Sequence, residues 1–150
     1  MKEAVSVPVF ANGNILYQSD ISDCLKATGC DGVMSAEGQL YNPALFAGIE
    51  QPISDTYSSD EELLVRQPRH ADVALEYLQI VKELKTNTNV SGVKGHLFKL
   101  MRPGLVREKD LREKLGKIAF RKKDWRGEIE QYINVCMEVK ERMDVSHVSL

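Results

Sequence analysis

The order of structural patterns in the first fifty residues restricts the fold more than any other feature. Residues 4–12 form an apolar, β-branched run that predicts a strand, and residues 31–36 predict a second short buried strand. Between them, Ser19 or Asp20 is placed to cap a helix that runs through about Thr28. Apolar strands that alternate with helices belong to parallel sheets covered on both faces, so a β–α–β unit of that kind is predicted. Two strands alone do not complete such a sheet.

Each predicted strand ends in a polar turn that contains glycine. The two turns are Asn12-Gly13-Asn14 and Ala36-Glu37-Gly38. Gly29 is expected to end the first helix, and a second helix is expected to begin near Pro43. Backbone N–H groups ahead of a helix attract phosphate, and glycine lets a phosphate approach the main chain. The alternative is that both are ordinary turns, and Glu37 is expected to point away from any phosphate.

The second half of the chain carries helical patterns only. Residues 50–70 contain two prolines and an acidic middle, which predicts a connector. Four helices are predicted within residues 71–85, 90–101, 107–120 and 125–143, and their apolar stripes predict a small bundle. The residues expected to be buried are Val73, Tyr77, Val81, Leu84, Val93, Leu97, Leu100, Met101, Leu111, Leu115, Ile118, Ile129, Tyr132, Cys136, Val139 and Met143.

Composition limits the class of protein. Of 150 residues, 43% are hydrophobic and 28% are charged, as in globular domains. No apolar run approaches the roughly 18 residues that a membrane span needs, and the amino terminus lacks a signal-peptide pattern. A cytoplasmic or nuclear protein without a membrane partner is therefore expected. Cys24, Cys30 and Cys136 are an odd number without metal-ligand spacing, which favours reduced thiols.

The charge is unevenly distributed along the chain. Residues 1–75 carry four Lys and Arg against eleven Asp and Glu, whereas residues 76–150 carry sixteen against eleven. This asymmetry favours a polyanion partner for the second half, and the alternative is two solvated surfaces of opposite sign. The candidate RNA-binding residues are Lys94, Lys99, Arg112, Lys117, Arg121, Lys122, Lys123 and Arg126, with Lys114 and Trp125 in the same run.

The three histidines do not predict a metal site. His70 and His147 lie in a predicted loop and in the tail, too far apart in sequence to argue a shared metal. His96 lies beside Lys94 and Lys99, and it either contacts RNA or packs within its helix.

Four segments together resemble one known family. The runs VPVFANGNI and DGVMSAEGQLYNPALF are similar to the end of the flavin barrel in tRNA-dihydrouridine synthases. The Ala-Glu-Gly-x-Leu-x-Asn-Pro pattern within the second run resembles the eukaryotic class that acts on uridines 16 and 17 of the tRNA D-loop. The runs GHLFKLM and LREKLGKI are similar to the helical carboxyl-terminal domain of that class.

The resemblance implies an α/β fold joined to an all-α domain. It implies strands seven and eight of a (β/α)₈ barrel in residues 1–49, a linker in residues 50–70, and a helical tRNA-binding domain in residues 71–150. The family uses FMN as cofactor and NADPH as reductant. Carried over by position, the residues implied to contact the FMN phosphate are Asn12, Gly13, Asn14, Ala36 and Glu37, with Gly38 permitting the approach.

The chain also departs from the family pattern. The catalytic cysteine of the family, and its flavin-contacting lysine and histidine, lie on earlier segments that have no counterpart here. Cys24 and Cys30 do not match that acid and are expected to be packing residues. The resemblance thus implies a carboxyl-terminal fragment with no catalytic residue of its own.

Several alternatives stay open at this stage. The chain could instead be a stand-alone RNA-binding module, or a non-catalytic partner-binding protein with a vestigial half-barrel. Another chain could complete the barrel, and a truncated product or a gene-model fragment would have the same sequence. The reduced uridine is not fixed by these residues.

Overall fold

The computed structural model describes residues 2–48, 69–84, 89–118 and 125–147. The chain divides into two compact units, residues 1–57 and residues 58–150. A search of the described residues finds no helix that is both long enough and apolar enough to cross a membrane.

The first unit is a small β–α–β structure. Its elements are a 3-10 helix (Lys2–Ala4), strand β1 (Phe10–Asn12), helix α1 (Gln18–Thr28), strand β2 (Gly32–Met34) and the short helix α2 (Glu37–Tyr41). The strands pair in parallel, with Phe10 opposite Gly32 and Asn12 opposite Met34. The predicted parallel β–α–β order is confirmed.

Both strands are shorter than predicted. The strand expected over residues 4–12 begins only at Phe10, because the Asp31 side chain hydrogen-bonds the main chain of the preceding residue, Val9. The Asp31 carboxylate accepts a hydrogen bond from the Val9 N–H at 2.7 Å, and the Lys2 ammonium lies 2.7 Å from the same oxygen. The strand expected over residues 31–36 ends at Met34, where the chain turns into α2.

The N-cap of the first helix lies two residues before Ser19, the earlier of the two predicted caps. Tyr17 is its N-cap residue, and Asp20 contributes from inside the first turn, accepting hydrogen bonds from the N–H groups of Leu16 and Tyr17 at 2.8 and 2.9 Å. The predicted end is confirmed. Gly29 is left-handed, with φ of 64°, and its N–H donates to the Leu25 carbonyl.

The second helix does not begin at Pro43. Helix α2 starts at Glu37 and ends before Asn42, which has the extended backbone that is favoured ahead of a proline. The Asn42 carboxamide then accepts a hydrogen bond from the Ala44 N–H at 3.0 Å, which shapes the turn after Pro43.

The sheet is covered on one face only, so the predicted double covering is wrong for the described residues. Phe10 and Met34 share a face and are 59% and 53% exposed. Ala11 and Val33 point to the opposite face and are half-buried. Helix α1 packs against both strands, and a crossover helix lies on one side of its sheet. The apolar composition of these strands therefore has no covering partner on the Phe10 side.

The second unit is the predicted helical bundle. Its helices are α3 (His70–Glu83), α4 (Val90–Leu100), α5 (Arg102–Arg107), α6 (Lys109–Lys117) and α7 (Trp125–His147). The helix expected over residues 107–120 corresponds to α6, and α5 is an additional short helix ahead of it. Pro103 suits the first turn of α5, and the non-helical backbone of Glu108 separates α5 from α6.

Most of the predicted core is confirmed. The buried residues that the stripes predict are Val81, Val93, Leu97, Leu100, Met101, Leu111, Leu115, Ile118, Ile129, Tyr132, Cys136, Val139 and Met143. The stripe on α3 is the exception. Ala71, Ala74 and Leu78 are buried there with Val81, whereas Leu84, which follows the last helical residue, is 47% exposed.

His70 does not lie in a loop. It is the first residue of α3 and is only 6% exposed. A Cβ at Gly104 would lie 2.9 Å from His70 Nε2 and 2.8 Å from Val139 Cγ1, so the absence of a side chain on α5 lets three helices meet at this point.

Candidate functional site

The two predicted turns lie at the same edge of the sheet. In the parallel register Asn12 is opposite Met34, and each is the last residue of its strand. Asn12, Gly13 and Asn14 therefore leave the sheet beside Ala36 and Glu37. All five residues are exposed. The carboxyl edge of a parallel sheet is where α/β proteins bind ligands, so the fold brings the predicted phosphate contacts together.

A side-chain hydrogen bond joins the two turns. The Ser35 hydroxyl donates to the Ile15 carbonyl at 2.8 Å, in a partly buried position. Gly38 is buried against the same carbonyl, since a Cβ on Gly38 would lie 2.1 Å from the Ile15 oxygen. Gly38 thus gives room to the Ile15 main chain, whereas the resemblance had implied that it gives room to a phosphate.

The left-handed residue of the first turn is Asn14, with φ of 41°. Asparagine is one of the few residues with a side chain that adopt this conformation readily. Among the described glycines only Gly29 and Gly48 have positive φ, so Gly13 does not need to be glycine for its backbone angles. A Cβ at Gly13 would meet nothing within 4 Å, and the main chain there is open to approach.

The N-terminus of α1 already holds an acid. Because Asp20 accepts hydrogen bonds from the Leu16 and Tyr17 N–H groups, these donors are engaged within the chain. An anion at this edge of the sheet is left with the N–H groups of the preceding turn.

Glu37 is held by its own helix. Tyr41 donates a hydrogen bond from its hydroxyl to Glu37 Oε1 at 2.6 Å. The five exposed turn residues therefore offer main-chain donors and asparagine side chains, with one carboxylate and no cation. Such a set fits part of a phosphate site, in which the charge of the ligand must be balanced by groups from elsewhere.

Two of the predicted RNA-binding residues, Lys94 and Lys117, have partners within the bundle. Lys94 donates to the Gly116 carbonyl at 2.7 Å and so ties α4 to the last turn of α6. Lys117 pairs with Glu113 on the same helix at 3.1 Å, and both side chains are more than 70% exposed. Such an exposed pair is weak and leaves Lys117 available to a phosphate.

Arg112 is exposed on α6 and makes no ion pair or hydrogen bond with any described side chain. Lys109 has the same character and lies one turn earlier on the same helix face. Sequence reasoning missed Lys109, although its spacing of three residues from Arg112 was a usable signal. Lys99 is half-buried and already takes part in an interaction.

Four predicted RNA contacts lie where the structure describes no side chain. They are Arg121, Lys122, Lys123 and Arg126, together with Trp125 and His147. Their role in RNA binding stays a prediction.

His96 is exposed and paired with a tyrosine. Tyr77 on α3 lies with its hydroxyl 2.6 Å from His96 Nδ1, and the two rings meet edge to face with centroids 5.6 Å apart. Burial raises the pKa of Tyr77, so the hydroxyl stays protonated and can donate to the imidazole. This contact joins α3 to α4. His96 therefore packs within the bundle, as one alternative expected, while its ring stays exposed, as an RNA contact requires.

A groove of about 1030 Å³ lies among α3, α6 and α7, and two of its lining lysines are paired with carboxylates. Lys114 pairs with Glu138 across it, and Lys140 pairs with Asp72 at 2.6 Å. Because these lysines already face carboxylates, the groove is less suited to RNA phosphates than the Lys109–Arg112 side of α6. In the described ranges no group of three or more His, Cys, Asp or Glu residues could hold a metal ion.

Comparison with known proteins places the chain in a family. The family model described as dihydrouridine synthase matches residues 1–140. No solved structure matches the chain.

Curated relatives carry the same description. A protein of Schizosaccharomyces pombe named tRNA-dihydrouridine(16/17) synthase is 47% identical over 110 residues, which cover 71% of this chain and 25% of the relative. A Saccharomyces cerevisiae protein of the same name is 36% identical over 141 residues, covering 91% of this chain and 31% of that protein. A mouse protein named as similar to this synthase is 42% identical over 118 residues, covering 79% of this chain and 21% of its own length.

The chain spans between a fifth and a third of the length of these relatives. The match of one family model over nearly the whole chain, at identities of this level, decides the assignment. The chain belongs to the dihydrouridine synthase family.

Proposed function

We propose that this chain is the carboxyl-terminal part of a tRNA-dihydrouridine synthase. It supplies the last two βα units of an FMN-binding (β/α)₈ barrel, in residues 1–49, and a helical tRNA-binding domain, in residues 71–150, joined by a linker. The whole enzyme reduces the C5–C6 bond of uridines 16 and 17 in tRNA with NADPH as reductant. This chain lacks the acid and most of the flavin pocket, and it does not catalyse the reaction alone.

The observation that carries the barrel assignment is the one-sided covering of the sheet. In a closed parallel barrel the helices lie outside, and the strand side chains that point inward fill the core. Here the face opposite α1 presents Phe10, Asn12 and Met34, all exposed and uncharged. β1 and β2 pair only with each other in the described sheet, so each has a free edge for a further strand. Strands from the remainder of the enzyme would cover that face and both edges.

The same geometry favours a place for the cofactor phosphate. Asn12 is the last residue of β1 and points to the inner face, and Gly13 and Asn14 continue from it at the mouth of the barrel. Main-chain N–H groups of this turn and of Ala36 and Glu37 would hold the phosphate, and open space at Gly13 would admit it. When bound and reduced by NADPH, FMN would supply the hydride that reduces the uracil ring.

The bundle would contact tRNA through α6. Lys109, Arg112 and Lys117 are exposed cations on this helix and can reach RNA phosphates. Lys99 and the cluster Arg121, Lys122, Lys123 and Arg126 would extend that surface, whereas Lys94 is assigned to the packing of α4 on α6. The target base must leave the RNA stack to reach a buried flavin, so the bundle holds the tRNA while the barrel receives the base.

A hybrid synthase tests the proposal. It is the S. pombe relative with its matched segment replaced by this chain, expressed in yeast that lacks the native enzyme. We expect the hybrid to bind FMN and to restore dihydrouridine at positions 16 and 17. The isolated chain, given FMN, NADPH and unmodified tRNA, should form none.

Three results would overturn the proposal. Dihydrouridine formed by the isolated chain would show that the chain is a complete enzyme. A soluble, folded hybrid that binds neither FMN nor tRNA would show that the two units do other work. If the isolated chain binds tRNA while the folded hybrid stays inactive, the chain is a stand-alone RNA-binding module.

A further inference from the structure

Ser35 links the two turns beyond the end of the sheet. The backbone ladder stops at Asn12 and Met34. The next residue of the second turn, Ser35, donates its hydroxyl to the Ile15 carbonyl at 2.8 Å, across a sequence separation of 20 residues. Ile15 directly follows the Asn12-Gly13-Asn14 turn, so this bond fixes one turn relative to the other.

The acceptor of this bond belongs to a buried residue. Ile15 is 4% exposed, and it is one of two buried apolar side chains in the described part of the first unit, with Leu45. Gly38 presses on the same carbonyl, since a Cβ there would come within 2.1 Å of its oxygen. Ser35 and Gly38 therefore approach one buried peptide group from the second turn.

The Ser35 hydroxyl is not placed to bind a ligand with its proton. That proton is committed to the Ile15 carbonyl, and a phosphate needs donors. Asn14, next to the acceptor residue, and Ala36, next to Ser35, are both exposed residues. The bond therefore fixes the distance between the main-chain donors of the first turn and those of the second turn.

We propose that Ser35 is a positioning residue for the FMN phosphate. It holds the main-chain donors of residues 12–14 at a fixed distance from those of residues 36–37, so that one phosphate is bound by both turns. This inference rests on the proposed function, because it requires that the turns bind the cofactor.

The test compares FMN with riboflavin, which lacks the phosphate, in the hybrid synthase. Dissociation constants are measured by the quenching of flavin fluorescence. Loss of one hydrogen bond that aligns donors should weaken binding about threefold to tenfold. We expect Ser35→Ala to raise the dissociation constant for FMN by that factor and to leave the constant for riboflavin unchanged. Ser35→Thr, which keeps the hydroxyl, should restore FMN affinity.

Ser22→Ala is the matched control. Ser22 also donates its hydroxyl to a carbonyl, that of Ser19 at 2.9 Å, but this bond is exposed and lies within α1. Its removal should change neither constant. The comparison therefore separates the position of the bond from the loss of a serine hydroxyl.

The remaining outcomes test the inference and the proposed function separately. If Ser35→Ala weakens FMN and riboflavin equally, or weakens neither, Ser35 has only a structural role or none, and the inference is wrong. If the unmodified hybrid binds riboflavin as tightly as FMN, the turns hold no phosphate and the cofactor part of the proposed function fails. If Ser35→Ala prevents folding, Ser35→Cys takes its place, because a thiol is a weaker donor than a hydroxyl. The dissociation constants for FMN and riboflavin are then compared in the same way.

Discussion

Arg142 on α7 holds Asp110, the second residue of α6, in a two-point ion pair. Nη1 lies 2.9 Å from Oδ1, and Nη2 lies 2.8 Å from Oδ2. Nη1 also donates to Glu108 Oε2 at 2.8 Å, and Glu108 is the residue between α5 and α6. One guanidinium thus ties α7 to the junction of two shorter helices. The planar fork of arginine makes this geometry possible, and lysine cannot reproduce it.

We expect Arg142→Lys to lower the thermal unfolding midpoint of the bundle, because the compact ammonium of lysine cannot form the two-point pair with Asp110 while it also bonds Glu108. Arg142 lowers the pKa of Asp110 below its ordinary value of 3.8, chiefly through their hydrogen bond. A carboxyl with a lowered folded pKa stabilises the fold above the ordinary value, and this stability is lost as the pH falls through the folded pKa. The difference between wild type and Asp110→Asn should therefore be largest at neutral pH and should vanish on strong acidification.

Circular dichroism at 222 nm during heating measures this effect. The control is Lys117→Gln, which removes an exposed pair within one helix and should change the midpoint little. An Arg142→Lys midpoint equal to that of wild type would mean that the fork geometry contributes nothing to the junction.

The buried imidazole of His70 should make the bundle sensitive to mild acid. Burial lowers the pKa of His70 from 6.5 to about 4, although the Asp72 charge opposes this shift. Between these two pKa values the unfolded chain binds a proton that the folded chain does not, so stability falls as the pH falls from 6.5 towards 4. The full shift corresponds to about 3 kcal/mol of unfolding free energy.

Urea unfolding at pH 7 and at pH 5 measures this dependence. His70→Asn removes the titrating group and should flatten the change between the two pH values. Equal pH dependence in wild type and His70→Asn would contradict the assignment.

Two helical glycines should respond to alanine in opposite directions. On α5 a Cβ at Gly104 would lie 2.8 Å from Val139 Cγ1 and 3.0 Å from Met143 Sδ. Gly104→Ala overpacks this contact and should cost about 1–3 kcal/mol of unfolding free energy. On α4 a Cβ at Gly95 would meet nothing within 4 Å. Gly95→Ala should stabilise by about 0.5–1 kcal/mol, because alanine is the better helix former.

Chemical denaturation of the two variants beside wild type gives both signs in one experiment. A stabilised Gly104→Ala would show that α5 and α7 have room to separate. A destabilised Gly95→Ala would show that the exposed face of α4 is occupied.

The periodicity of apolar residues predicted the buried face correctly in helices that pack a single face against the core. The stripe on α6 continues into its C-cap, with Leu111, Leu115 and Ile118 all buried as expected. The stripe on α3 failed because several apolar residues of different size compete for the core on that helix. Small Ala71 and Ala74 allow close packing, whereas Leu84 falls beyond the last helical residue. Periodicity alone does not rank such alternatives.

The first unit was harder to predict because two apolar residues of its strands have no covering partner in the described sheet. The apolar residues Phe10 and Met34 predict burial, yet they are exposed when only α1 covers the strands. Of the candidate site, the adjacency of the two turns followed from the parallel strand order. The Ser35–Ile15 bond did not, because serine in a turn gives no sequence signal for a partner 20 residues away.

The pair Lys109 and Arg112 should dominate the salt dependence of tRNA binding among the described cations. Both are exposed, with no ion-pair partner in the described ranges. Replacing both by alanine should reduce the slope of log affinity against log salt by about two, one unit for each phosphate contact. Lys94→Ala is the control, since it removes the bond to Gly116 and should affect stability while leaving the slope unchanged. Filter binding at several salt concentrations measures the slopes, and an unchanged slope in the double variant would place both side chains in solvent.

Replacement of Gly13 tests whether the Asn12-Gly13-Asn14 turn binds the FMN phosphate. A Cβ there meets nothing within 4 Å, and its φ is not positive, so Gly13→Ala should leave the unfolding midpoint of the hybrid synthase unchanged. The added methyl should still hinder a phosphate from reaching the main chain, and we expect weaker FMN binding with unaltered riboflavin binding. Ser22→Ala is the control, because Ser22 lies within α1, outside both turns, and its replacement should change neither binding constant. A Gly13→Ala hybrid that keeps the full preference for FMN would show that this turn does not contact the phosphate.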